Sequence, residues 1–322
     1  MKALLLHHPY VYPRFEQDFV WRIGELPEFD IAACDLNALS RGVLATSGQE
    51  IVLQAYDVVV VFVAFKALRA AETLDWRAFA GLRVLMDHDI IQNYSDIFGA
   101  GLLGAWPPVF RKHRFDSVVT SGGLIQERLN EEGIPSDWTP KAFEPARFAD
   151  LAGPRQGLVT YGSAYLCRQI AERAVRDAKL PLTRIAMTPY LDLGAALNRY
   201  LACMAISSDL EVPTDERAGL ASSVARAIPM RPGLEPMAKF FEASGVGCCP
   251  IADDMSDLHE LGFRDGETML AFRSHDELVA KLEGAGPQAL RDIGAGAANF
   301  VHNEHTWAHR ARTLRAAITR RL

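Results

Sequence analysis

An α/β protein made of two parallel-sheet domains is what this sequence predicts, and three observations carry the prediction. Short apolar runs alternate with helical patterns along the chain, as they do where parallel strands are joined by crossover helices. The run Val58-Val59-Val60-Val61-Phe62-Val63 is continuous and largely β-branched, which suits a central strand covered on both faces. The chain has 322 residues, more than one ordinary domain needs, and this suits two Rossmann-like halves, each with its own core.

Taken in order, the first half should place strands at 3–6, 29–33, 58–63, 83–86 and 117–120, with helices between them. A helix over 127–132 should stop at Gly133, with Pro135 just beyond. Residues 141–154 lack a strand or a strong helical period, and Gly153-Pro154 reads as the linker. The domains are therefore expected at 1–152 and 153–304, with 305–322 as a terminal helix. In the second half strands are expected at 157–161, 184–187, 203–206, 246–251 and 269–272. The stretch 211–232 mixes charges and prolines and reads either as a loop that orders on ligand binding or as a plain surface connection.

Composition excludes several classes. A hydrophobic content of 49% with 23% charged residues is that of an ordinary globular chain, not of a disordered or collagen-like one. Five scattered cysteines (Cys34, Cys167, Cys203, Cys248, Cys249) make neither a disulfide framework nor a zinc-ligand spacing, so a reduced, cytoplasmic location is expected. The apolar run at 1–6 is too short for a secretory signal and reads as the first strand. Nothing approaches the roughly 20 apolar residues of a membrane span. A net charge of −6 argues against non-specific nucleic-acid binding, which needs a basic face.

The richest segment is Gly233-Leu234-Glu235-Pro236-Met237-Ala238-Lys239-Phe240-Phe241-Glu242-Ala243-Ser244-Gly245. Pro236 is suited to the first position of a helix. Met237, Phe240 and Phe241 give that helix a buried side, and Gly245 suits the left-handed residue that ends it. Lys239 and Glu242 stand three residues apart on one face. At the strand ends of an open α/β sheet, helix N-termini and backbone N–H groups favour phosphate. There a lysine would hold a diphosphate and a glutamate would accept ribose hydroxyls. The alternative is an ordinary surface ion pair.

Other positions invite chemistry. Gly162 and Ser163 follow an expected strand, where the glycine allows close backbone approach, the serine can cap the next helix and Arg168 comes shortly after. Without a complete phosphate-loop fingerprint, a simple strand-to-helix turn is the competing reading. Asp87-His88-Asp89 puts three titratable groups after an expected strand, with helix capping by Asp89 and a structural imidazole as alternatives. His302, His305 and His309 fall near one helical face, but no metal site is expected. Asp253-Asp254 reads as a turn after a strand.

The rich segment resembles the second-domain signature of GT-B glycosyltransferases, in the group-1 or family-four-like branch that includes spore-maturation-protein-like enzymes. Downstream, Asp253-Asp254, Asp265-Gly266-Glu267, Ser274-His275-Asp276-Glu277-Leu278 and His305-Thr306-Trp307-Ala308-His309-Arg310-Ala311 follow the same branch, so the resemblance spans roughly 229–314. It departs at one point: the family's first glutamate lies eight residues before the second, and that position is Leu234, with Glu235 one residue late.

The resemblance implies transfer of a sugar from a nucleotide-diphosphate donor to an acceptor hydroxyl, retaining and without metal or other cofactor. Lys239 and Arg168 would hold the diphosphate beside Gly162 and Ser163. Glu242 would hold the ribose, Glu235 the donor sugar, and His88 would stand beside that sugar. The acceptor is open: a glycan, a natural product or a protein. An inverting route would draw its base from Asp87, His88 or Asp89. The terminal helix would return to the first domain, its arginines either solvated or touching anionic lipid. Two other classes remain, a nucleotide-sugar epimerase or hydrolase of the same fold, and a non-catalytic nucleotide-sugar-binding partner, which Leu234 favours.

Overall fold

The computed structural model describes residues 1–10, 14–94, 101–163, 166–185, 188–206 and 235–322; the stretch 211–232 therefore lies outside the described residues. Two units emerge. The first comprises Met1–Tyr94, Leu102–Pro140 and Trp307–Leu322, and the second includes Lys141–Thr306.

In the first unit the apolar runs become β1 (Ala3–His7), β2 (Phe29–Ala33), β5 (Val58–Phe62), β6 (Leu82–Met86), β7 (Ser117–Thr120) and β8 (Ser136–Trp138). They pair in parallel in the order β2-β1-β5-β6-β7-β8, and the short antiparallel pair β3 (Ala45–Thr46) and β4 (Gln49–Glu50) stands apart. Val58 to Val61 are completely buried, as a strand covered on both faces requires. The edge strand β8 escapes sequence reading because Ser-Asp-Trp has no apolar run; its register against β7 (Val118↔Ser136 to Thr120↔Trp138) defines it.

The terminal helix Trp307–Arg321 belongs to this unit and packs on the helix Phe15–Gly24, where the Trp307 and Phe19 rings stack at 4.8 Å. Its arginines are less available than the sequence suggests. Arg315 pairs with Glu28 at 2.6 Å, Arg320 and Arg321 share Asp137, and Arg310 is buried.

The second unit holds β9 (Leu158–Thr160), β10 (Leu182–Arg184), β11 (Ala202–Met204), β12 (Cys249–Asp253) and β13 (Leu270–Phe272), all parallel in the order β10-β9-β11-β12-β13. Alternate residues along these strands enter different clusters. Val159, Cys203, Ala252 and Ala271 join one core, while Leu158, Ala202, Ile251 and Phe272 join the other, so this sheet too is covered on both faces.

Several boundaries move. The units part between Pro140 and Lys141 rather than at Gly153-Pro154, because Phe143 and Phe148 are fully buried in the core of the second unit with Leu197, Phe240 and Phe241. The stretch lacks periodicity but not core residues. β10 begins at Leu182, two residues before the expected start, in register with β9. The helix of the Lys239 segment is Ala238–Gly245; Pro236 precedes its N-cap, Met237, which is still extended. Gly245 is the last helical residue rather than the left-handed one, and that conformation falls to Gly247 (φ +78°). Gly245 is required for another reason: a Cβ there would lie 2.5 Å from the Phe143 ring. The turn after Gly245 delays β12 to Cys249. Among the described residues no helix is long and apolar enough to cross a membrane.

Candidate functional site

The carboxyl end of the second sheet gathers cations around one turn. β9 gives way to Tyr161, Gly162 and Ser163, with Gly162 left-handed at φ +78° and both Gly162 and Ser163 exposed. Arg168, in the first turn of the helix Leu166–Asp177, is buried; its Nε donates to the Ile206 carbonyl at 3.0 Å and its Nη1 to the Ser163 carbonyl at 2.9 Å. Arg184, the last residue of β10, donates from Nη1 to the Gly162 carbonyl at 2.9 Å and is paired with the buried Glu172. Lys239 reaches in from the helix Ala238–Gly245, and its Nζ donates to the Tyr161 carbonyl. A Cβ built on Gly162 would lie 3.7 Å from both Lys239 Nζ and Arg168 Nη1, so the turn opens directly onto those two charges.

Lys239 and Glu242 are not the surface ion pair that their spacing allows. Both are buried, and both act on one residue. The Lys239 ammonium lies 4.7 Å from the centre of the Tyr161 ring, and the Tyr161 hydroxyl donates to Glu242 Oε2 at 2.6 Å. Burial, followed by the neighbouring Arg168 charge, brings the Lys239 ammonium down to about 7. Arg184 adds a smaller push in the same direction, while Glu242 opposes it. Burial and the Glu242 carboxylate push the Tyr161 phenol up, so its proton stays in place to be donated.

Gly162, Ser163, Arg168, Lys239 and Glu242 are thus brought together. Glu235, one residue out of the family's spacing, is fully buried against Lys141, its Oε1 2.5 Å from the ammonium. Leu234 lies outside the described residues. His88 belongs to the first unit, where its ring packs among Phe19 (5.5 Å), Phe62 (5.1 Å) and Trp307 (5.9 Å), only 3% exposed. Asp87 is engaged by the Asp89 amide at 2.7 Å and the Trp106 indole at 2.8 Å. His302 and His305 hydrogen-bond to the carbonyls of Gly245 and Leu261, and Asp254 is held between His259 and Arg273. Among the described residues no group of three or more His, Cys, Asp or Glu has the arrangement of a metal site.

Sequence reading passed over Tyr161, Arg184 and Lys141. Arg184 carries one usable signal, a cation closing the strand that neighbours the glycine turn. Tyr161 and Lys141 carry none, since their partners lie 81 and 94 residues away.

Residues 182–316, which include Arg184, Lys239 and Glu242, match the family model described as glycosyl transferase-like. The second half of the chain is thus similar to this glycosyltransferase family. No curated protein sequence matches the chain, but solved structures do so over 99% of both chains. Sucrose-phosphate synthase from Thermosynechococcus elongatus superposes with a TM-score of 0.62 at 10% identity, and Anabaena HepE, solved with UDP and glucose, with 0.63 at 14%. A DNA-modifying β-glucosyltransferase, solved with and without uridine diphosphoglucose, aligns over 99% of this chain and all of its own, with a TM-score of 0.62 at 11% identity. At such identities the likeness is one of fold, and that fold is GT-B.

Proposed function

We propose that this protein is a glycosyltransferase that moves a sugar from a nucleoside-diphosphate sugar to an acceptor hydroxyl, with retention and without a metal ion. The observation that carries the reading is the convergence of Arg168 and Lys239 on the glycine turn at Gly162, with Glu242 held alongside by Tyr161. The UDP and UDP-glucose in the structures of HepE and the β-glucosyltransferase give the reading its donor class.

In this account the bond between the anomeric carbon and the diphosphate oxygen breaks, and the electron pair leaves with the diphosphate. Arg168, Lys239 and the amides of Gly162 and Ser163 meet that growing charge with fixed dipoles and cations, the part a divalent ion plays elsewhere. The acceptor oxygen bonds to the anomeric carbon on the face the diphosphate leaves, and its proton passes to a departing phosphate oxygen. Glu242 accepts the ribose hydroxyls. Retention rests on the likeness to the family; of the three side chains an inverting route would use, Asp87 is engaged by two donors and His88 is enclosed by rings, while Asp89 is exposed. We assign His88 to packing under Trp307 rather than to the donor sugar. The buried thiols Cys203, Cys248 and Cys249 are all free and fit a reducing cytoplasm.

One observation favours a second reading. Glu235 is taken up by Lys141, and the family's glutamate position is Leu234, so a nucleotide-sugar-binding protein without turnover is the competitor. A thermal-shift panel of uridine, guanosine, adenosine and thymidine diphosphates tests donor binding, since a ligand at 100 times its Kd stabilises the fold by about 2.7 kcal/mol. Transfer of the corresponding donor sugar, with NMR of the product, then separates the readings. The α-anomer from an α-donor supports retention, binding without transfer across glycan, natural-product and protein acceptors supports the competitor, and no shift with any diphosphate overturns both.

A further inference from the structure

We infer that Tyr161 is a positioning residue of the donor site, its hydroxyl setting the Glu242 carboxylate for a ribose 2′-hydroxyl while its ring and carbonyl hold the Lys239 ammonium for the diphosphate. The inference rests on the donor reading of Glu242 and Lys239, and adds that one side chain coordinates the two.

Three contacts of different kinds converge on this residue. The hydroxyl donates to Glu242 Oε2 at 2.6 Å, the ring lies 4.7 Å under Lys239 Nζ, and the carbonyl accepts from that same Nζ. All three side chains are buried. A phenol bonded to one carboxylate oxygen fixes the plane of the carboxylate, and so fixes where its other oxygen meets a hydroxyl donor. A ring chosen only to fill the core would serve as well without the oxygen, because burying a hydroxyl is unfavourable unless a partner is supplied. Here the partner is an acid that the core does not need. The residue also begins the turn that carries Gly162, so it links the strand end, the ribose acid and the phosphate cation through one backbone position.

Tyr161→Phe removes the oxygen and keeps the ring over Lys239. The test is calorimetric titration of the full chain with UDP, GDP and ADP and with their 2′-deoxy counterparts, comparing wild type, Tyr161→Phe, Glu242→Gln and the double variant. The wild type is expected to prefer the ribonucleotide by about tenfold, the worth of a charge-assisted hydrogen bond. Tyr161→Phe should lose most of that preference while binding the deoxynucleotide within about twofold of wild type, and the double variant should match Glu242→Gln rather than sum the two losses. A thermal midpoint close to wild type would show that the fold is intact. If Glu242→Gln flattens the preference and Tyr161→Phe leaves it standing, the inference is overturned while the donor reading survives. If Glu242→Gln leaves the preference unchanged, or the wild type has none, the ribose reading falls and takes the inference with it.

Discussion

Lys141 Nζ and Glu235 Oε1 meet at 2.5 Å with side chains only 4% and 0% exposed, an ion pair almost wholly removed from water. It ties the start of the Lys141–Thr306 stretch of the second unit to the segment entering the Lys239 helix. Deleting one partner strands the other as a buried charge, so Lys141→Met or Glu235→Leu should each cost about 3–5 kcal/mol of stability. Combining Lys141→Met with Glu235→Leu should restore most of the loss, because desolvation of both charges is then avoided. Urea denaturation of the four proteins checks this; additive losses would mean that the two side chains do not act as a pair.

Lys239 gives the site a pH dependence. With its ammonium held at about 7 in the fold and near 10.4 in the unfolded chain, the unfolded state binds more protons between those values, and this group makes the unliganded protein more stable as pH rises through that window. An incoming diphosphate favours the ammonium instead. Binding near pH 8 should therefore take up a proton, and diphosphate affinity should weaken from pH 7 to 9, by at most about tenfold per unit. Titration calorimetry in two buffers of different ionisation heat measures the uptake, and Lys239→Met should abolish it together with the stability slope.

Gly162→Ala separates strain from exclusion. The left-handed backbone at φ +78° costs a non-glycine residue about 1–2 kcal/mol, and the new methyl would stand 3.7 Å from both Lys239 Nζ and Arg168 Nη1, in the space proposed for phosphate oxygens. A modest fall in thermal midpoint is expected, with a loss of diphosphate affinity larger than that fall accounts for. Equal affinity in the folded variant would place the phosphates elsewhere.

Gly245→Ala tests packing without touching charge. Its Cβ would meet the Phe143 ring at 2.5 Å, and Phe143 is itself completely buried against His302. Overpacking of this kind costs about 1–3 kcal/mol. Trimming the ring with Phe143→Leu in the same chain should make the alanine less harmful, which a denaturation cycle reads directly.

The features that sequence made legible are those with a local cause. β-branched runs such as Val58 to Val61 announce buried strands, and the Lys239 and Glu242 spacing announces the helix Ala238–Gly245 through a family likeness. The features it hid depend on distant partners. β8 is a strand only because β7 lies beside it, and Phe143 belongs to the second unit because Phe240 and Phe241 are there. Gly245 reads as a helix stop until the Phe143 ring appears above it. At the site, the i, i+3 spacing puts Lys239 and Glu242 on one face but cannot show that both turn inward to Tyr161, and Glu235 looks like a displaced family glutamate until Lys141 is found against it.

A crystal structure of the full chain with the nucleoside diphosphate that binds best tests the central claim most directly. The diphosphate is expected within hydrogen-bond distance of Lys239 Nζ, Arg168 and the Gly162 amide, with the ribose hydroxyls on Glu242. A diphosphate bound away from that turn, or a ribose that leaves Glu242 untouched, would contradict it.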